Sequence, residues 1–194
     1  TSGPLVNYHF GGPAPSAGAA SYTDGADKNF GIDERAEVGL ISRNIKLTAA
    51  IPTPDPTGAS LHWGGEIHVM NGFNRVEIQG VELENFGKDQ LGSYPIHFHM
   101  VGTPANLPLI NANSIHHSYN KCIVLHASSG ITISNNVCAR IVGHIFALED
   151  GTEANNTFRN NLGLGAMQNY FPQYLNSTYV AATNACTPNA NQAP

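Results

Sequence analysis

Charge is scarce in this chain. Charged side chains fill 12% of 194 positions, with 14 acidic against 9 basic residues and a net charge of −5 when histidine is neutral. No lysine–arginine run occurs, which excludes the electrostatic footprint of a nucleic-acid binder or of a protein held to an anionic membrane surface. No apolar run approaches the roughly 18 residues that a membrane span needs. Three cysteines, Cys122, Cys138 and Cys186, allow at most one internal disulfide, and a Cys138–Cys186 tether is one way to form it. Neither an HExxH nor a CxxC zinc signature is present. Ser118, Ser128 and Ser129 lack any nucleophile-elbow context, which sets serine hydrolysis aside.

Glycine (20), proline (12), asparagine, serine and threonine are abundant instead, the makeup of a turn-rich, all-β domain. The length suits one good-sized domain. A start at Thr-Ser-Gly-Pro, without initiator methionine or signal-like stretch, reads as a processed product, a fragment, or part of something longer. Asn155-Asn-Thr157 and Asn176-Ser-Thr178 are glycosylation sequons, so the expected location is extracellular or secreted.

The chemistry concentrates in Tyr94-Pro-Ile-His-Phe-His-Met-Val-Gly102. Residues two apart on a strand share a face, so His97 and His99 point the same way. Three segments of similar shape, each ending at glycine, are Glu66-Ile-His-Val-Met-Asn-Gly72, Val124-Leu-His-Ala-Ser-Ser-Gly130 and Phe146-Ala-Leu-Glu-Asp-Gly151. A second recurring segment reads Val76-Glu-Ile-Gln-Gly-Val81, Leu109-Ile-Asn-Ala-Asn-Ser-Ile115, Ile131-Thr-Ile-Ser-Asn-Asn-Val137 and Asn156-Thr-Phe-Arg-Asn-Asn-Leu162. Its anchors Val81, Ile115, Val137 and Leu162 lie 34, 22 and 25 residues apart, with an insertion at 102–108 lengthening the first interval. A period in the low twenties with several short strands per unit signals a solenoid. An antiparallel sandwich would need two-residue hairpin signals, which are sparse. The expected fold is therefore an all-β parallel β-helix over residues 36–167. Its first strand falls at Asn44 to Thr48, and Asn111, Asn113, Asn135, Asn136, Asn160 and Asn161 are placed to ladder along the turns. Residues 1–35 read as an irregular arm or linker, 52–60 as a proline-bearing loop, and 168–194 as a cap and tail, the cap at 170–174.

Counting back from the closing glycines puts His97, His99 and Asp150 on one face and His68, His126 and Glu149 on the other. A one-residue slip would bring His126 or Glu149 across. Coils stack about 4.8 Å apart, so same-face groups gather within roughly 10 Å. Such a cluster suits a divalent metal held by His97, His99 and His126, zinc or copper through imidazole, or calcium through carboxylate. His97, His99, Glu149 and Asp150 are the candidate catalytic groups. Glu149 and Asp150 are adjacent and so face opposite ways; they do not form a ready-made glycosidase pair, and Glu66, Glu82 or Glu84 would have to supply the partner. Trp63 and Tyr94 offer sugar-stacking surfaces, joined as substrate-binding candidates by His116 and His117, which flank a turn and should point apart. The same histidines could instead be internal, satisfied by backbone carbonyls, and Asp150 could simply fix its turn.

Glu37-Val-Gly-Leu-Ile-Ser-Arg-Asn44, Leu91-Gly-Ser-Tyr-Pro-Ile-His-Phe-His-Met-Val-Gly102, Asn113-Ser-Ile-His-His-Ser118 and Gly143-His-Ile-Phe-Ala-Leu-Glu-Asp-Gly151 occur in one order. In that order they resemble the β-helix of a family of large extracellular proteins. It comprises the cell-migration-inducing and transmembrane hyaluronidases and the fibrocystin-like receptors, which combine a G8 domain with β-helix repeats. The resemblance covers about residues 37–165 and implies a right-handed parallel β-helix outside the cell. In some members it also implies hyaluronan binding and depolymerisation. No complete G8 domain is legible here, so the resemblance carries fold further than activity. The function expected is an extracellular module that binds or cleaves a glycosaminoglycan-like polysaccharide, with other domains of a longer chain as further partners. The alternative is a non-catalytic structural or adhesion module.

Overall fold

The computed structural model describes residues 37–49 and 63–167. The expected arm, proline loop, cap, tail, Cys186 and the sequon at Asn176 lie outside the described residues. The chain divides into two units, Thr1–Gly39 and Leu40–Pro194, and every strand below belongs to the second.

A lone strand, β1 (Ile45–Thr48), precedes four three-strand coils. The first holds β2 (Ile67–Met70), β3 (Glu77–Gln79) and β4 (Val81–Glu84). The second holds β5 (Ile96–Gly102), β6 (Leu109–Asn111) and β7 (Ser114–Ser118). The third holds β8 (Ile123–Ser128), β9 (Thr132–Ser134) and β10 (Val137–Val142), and the fourth β11 (Phe146–Leu148), β12 (Thr157–Arg159) and β13 (Leu162–Met167). Equivalent strands pair in parallel into three sheets, β2-β5-β8-β11, β3-β6-β9-β12 and β1-β4-β7-β10-β13. This is the expected parallel β-helix, without any helix among the described residues. The 102–108 insertion joins β5 to β6 as anticipated.

Inward apolar side chains of the coil strands stack on their equivalents in the next coil. Val69, Phe98 and Leu125 make one column, Ile78, Ile110 and Ile133 a second, and Leu83, Ile115 and Cys138 a third. Burying each Leu, Ile or Phe contributes about 1.5–3 kcal/mol, and no single coil can close such a core. Cys122 and Cys138 form a disulfide across the buried interior of the third coil, correcting the Cys138–Cys186 tether.

The register is set by asparagine rather than by the apolar anchors. Asn113, Asn136 and Asn161 stack: Nδ2 of Asn113 and of Asn136 donates to the next Oδ1 at 3.0 Å, and all three donate to a carbonyl of an earlier coil. Each Oδ1 also accepts a backbone N–H, from Val81, Asn113 and Asn136 respectively. These steps are 32, 23 and 25 residues, so Val137 and Leu162 align with Ser114 and Glu82, not with Ile115 and Val81. A buried amide that must satisfy donors on both sides fixes position more sharply than an apolar residue does. Asn111 and Asn135 form a shorter outer ladder, the Asn135 Nδ2 donating to Asn111 Oδ1 at 2.8 Å. The residue before each inner asparagine turns the chain with positive φ: Gly80 precedes Val81 in the first coil, then Ala112 (55°), Asn135 (56°) and Asn160 (53°). Asparagine suits that left-handed corner better than most side chains.

Candidate functional site

Along the first sheet, strand alternation sends Ile67, Val69, Ile96, Phe98, Ile123 and Leu125 inward and the histidines outward. His68 pairs with His97, and His99 lies opposite His126. Leu125 pairs with Leu148, so the next residue, Glu149, lies beside His126 and its N–H reaches the Leu125 carbonyl. One face thus carries His68, His97, His99, His126 and Glu149. The glycine count misassigned His68, His126 and Glu149 because β5 holds one more residue than β8 between its last histidine and the next matched pair, where Met100 takes φ 53°. One extra residue inverts the parity, as the slip alternative required.

The rings pack closely. Centroids of His68 and His97 are 4.7 Å apart, those of His97 and His99 5.1 Å, and those of His99 and His126 4.7 Å. His97 is 1% exposed, with the Tyr94 ring edge-on at 4.8 Å. Its Nδ1 donates to the Gly92 carbonyl at 2.7 Å, so the lone pair sits on Nε2. That Nε2 is buried without a hydrogen-bond partner and lies 3.9 Å from Glu149 Oε2. His126 Nδ1 is also 3.9 Å from that oxygen, and 2.9 Å from His99 Nδ1. Its Nε2 meets Asp150 Oδ2 at 2.9 Å. The Tyr94 hydroxyl and Lys121 Nζ, the latter at 2.9 Å, both donate to Glu149 Oε1.

Protonation follows from these surroundings. Burial pushes the His97 imidazole down to about 4, and burial with the neighbouring His126 and His68 lowers His99. Burial alone would raise the Glu149 carboxyl, but hydrogen bonds from Tyr94 and Lys121 outweigh it and hold the group below the usual carboxylate range. Glu149 is thus an ionised carboxylate at neutral pH, beside His97 and His99 rings held in the neutral, lone-pair-bearing form. A groove of about 610 Å³ opens beside it, edged by Leu91, Lys121, His126, His144, Glu149 and Asp150.

The other candidates fall elsewhere. Trp63 is half-exposed before β2, its ring 5.4 Å from Lys88 Nζ. Tyr94 is fully buried and serves Glu149 rather than offering a stacking face. His116 and His117 stand on the third sheet and touch, Nδ1 to Nδ1 at 2.8 Å, instead of pointing apart. His117 has φ 52°, and that left-handed residue cancels the alternation. His116 Nε2 bonds Glu82 Oε1 at 3.0 Å, and Lys46 bridges Glu82 and Glu84. Glu66, on the approach to β2, pairs with Lys88. His68 and Lys121 were not among the expected site residues. The matching Ile67-His68 and Ile96-His97 pairs were the available signal for the first. Lys121 had none, because it acts from a turn.

The CEMIP beta-helix family profile matches residues 62–193. Human cell surface hyaluronidase CEMIP2 is 36% identical over 146 residues, 69% of this chain and 11% of that protein. The mouse cell migration-inducing and hyaluronan-binding protein is 36% identical over 162 residues, 76% of this chain and 12% of its own length. The zebrafish cell surface hyaluronidase is 34% identical over 147 residues, 69% and 11% respectively. The chain spans about a tenth of the length of these relatives.

Proposed function

The chain belongs to the CEMIP beta-helix family, and on that premise we propose that it is an extracellular module that binds and cleaves a glycosaminoglycan-like polysaccharide on its first sheet. The observation that carries the reading is the gathering of four imidazoles and the Glu149 carboxylate on one outward face beside an open groove. The groove suits a carboxylate-bearing sugar chain, since Lys121 and His144 edge it. Two relatives are named hyaluronidases, and a third is named for binding hyaluronan. The Cys122–Cys138 disulfide fits an oxidising compartment.

Glu149 and the rings of His97 and His99 accept protons, so one of them takes a proton from the attacking water. The proton taken from water is then returned to the departing sugar oxygen, which restores the starting protonation of the site. A divalent cation on the same face would offset substrate carboxylates. The test is to incubate the purified chain with hyaluronan and with chondroitin and follow polymer length by size-exclusion chromatography. Shortening that Glu149→Gln and His99→Ala reduce by about 100-fold or more supports cleavage. Undiminished polymer length overturns it. Retention on immobilised hyaluronan without shortening would favour the second reading, a non-catalytic binding or spacer module, in keeping with the relative named for binding.

A further inference from the structure

We propose that His97, His126 and Glu149 are the ligands of a single divalent transition-metal ion, zinc being the best match. This deepens the reading of the first sheet as the reactive face. It depends on that reading for its catalytic meaning, but not for metal uptake itself.

The starting point is the lone pair on His97 Nε2. A ring nitrogen sealed from water and left without a partner is rare, because the lost hydrogen bond is not replaced. A cation at this point would replace it. The donor atoms of His97, His126 and Glu149 already lie within 4.8 Å of one another, with Oε2 3.9 Å from each ring nitrogen. Tetrahedral zinc with bonds of about 2.0–2.2 Å needs donors about 3.4 Å apart. Small side-chain rotations close that difference.

The supporting contacts are also in place. Metal-bound imidazoles pass their other N–H to a carbonyl or carboxylate, which fixes tautomer and ring angle. His97 Nδ1 has the Gly92 carbonyl, and His126 Nε2 has Asp150. Tyr94 and Lys121 hold Oε1 of Glu149, so Oε2 remains turned towards both rings. His68, His97 and His99 form a second triad of donors within 4.8 Å, and His97 is common to both.

The donor chemistry selects the ion. Imidazole nitrogens suit zinc and its late first-row neighbours, whereas calcium and magnesium want oxygen. Two rings and one carboxylate leave a coordination position open towards the groove for water or a sugar oxygen. The other histidine–carboxylate cluster, Glu84, His116 and His117, lacks this character. Its ring nitrogens engage each other, Glu82 and Arg140, and Lys46 already neutralises its carboxylates.

Entry of the ion at His126 Nδ1 displaces the His99 ring nitrogen that faces it. The chain, stripped with chelator and dialysed, is titrated with zinc chloride by calorimetry. Metal content is then measured after gel filtration, and cobalt(II) is added separately for its visible spectrum. The expected result is one zinc per chain, no competition from millimolar calcium, and a cobalt spectrum of four- or five-coordination. Glu149→Gln, which can keep its bonds to Tyr94 and Lys121, should weaken zinc about 100-fold, while Glu77→Gln on the second sheet leaves it unchanged. Circular dichroism verifies the fold of each variant. Substoichiometric zinc in the wild type, or full zinc in the folded Glu149 variant, overturns the centre. One tightly held zinc without cleavage of any glycan leaves the centre standing and removes the hydrolytic reading. Cleavage without zinc uptake does the reverse.

Discussion

Nε2 of His126 donates to Oδ2 of Asp150 over 2.9 Å, and that bond leaves Nδ1 of the same ring facing Glu149. The carboxylate is 42% exposed and contributes orientation more than packing. Asp150→Ala should therefore lower zinc affinity about 10–100-fold while leaving the thermal midpoint within a degree or two. Calorimetric titration beside a melting curve checks both halves. An unchanged affinity would mean that the ring is oriented by its neighbours alone.

Glu82 supplies a pH dependence of stability. Hydrogen bonding to Lys46 comes first, then the Arg43 backbone N–H and His116, and against the cost of burial these bring its carboxyl down to about 2. A depressed carboxyl stabilises the fold fully above its unfolded value of about 4.5 and loses that contribution as pH falls towards 2. Urea midpoints of the wild type should drop across that window. Glu82→Gln should lower the midpoint at pH 7 and flatten the acid limb, because glutamine cannot titrate.

Asn136 is the middle rung of the inner ladder, with four hydrogen bonds through its amide. Asn136→Ala should cost about 3 kcal/mol, since the Asn113 N–H and the Ile110 carbonyl are left buried without partners. Asn135→Ala, next to it but exposed, should cost about 1 kcal/mol, from the outer bond and its left-handed φ together. Equal effects from both in urea denaturation would show that the ladder does not set the register.

The disulfide joins residues 16 apart. Closing a loop of that length stabilises by about 3 kcal/mol through the unfolded chain. Denaturation with and without reductant, or with Cys122→Ala and Cys138→Ala together, should show a loss of that order. A smaller loss would indicate that the stacked core already restrains these strands.

Much of the fold was legible because stacking repeats itself in sequence. Short strands closing at glycine, an Asn-rich turn recurring at 22–25 residues, and apolar residues that no single coil can bury led to a parallel solenoid. The face of each histidine was not legible in the same way. Periodicity in a strand has only two phases, and the extra residue in β5 inverts them without leaving any compositional mark. The anchor column failed by one residue for a related reason. The sequence displays apolar residues prominently, whereas the register answers to Asn113, Asn136 and Asn161, whose amides must meet donors in coils on either side.

By itself, then, the sequence determined an all-β stacked architecture and the histidine-bearing segments that would carry chemistry. Tertiary structure alone decided that His97 and His99 face His126 and Glu149, that Lys121 and Tyr94 fix that carboxylate, and that His116 and His117 stand on another sheet. Local pattern reports what a residue is and how often it recurs. Which donors converge depends on register between segments about 25 residues apart, and that is settled by hydrogen bonds formed only once the coils are stacked.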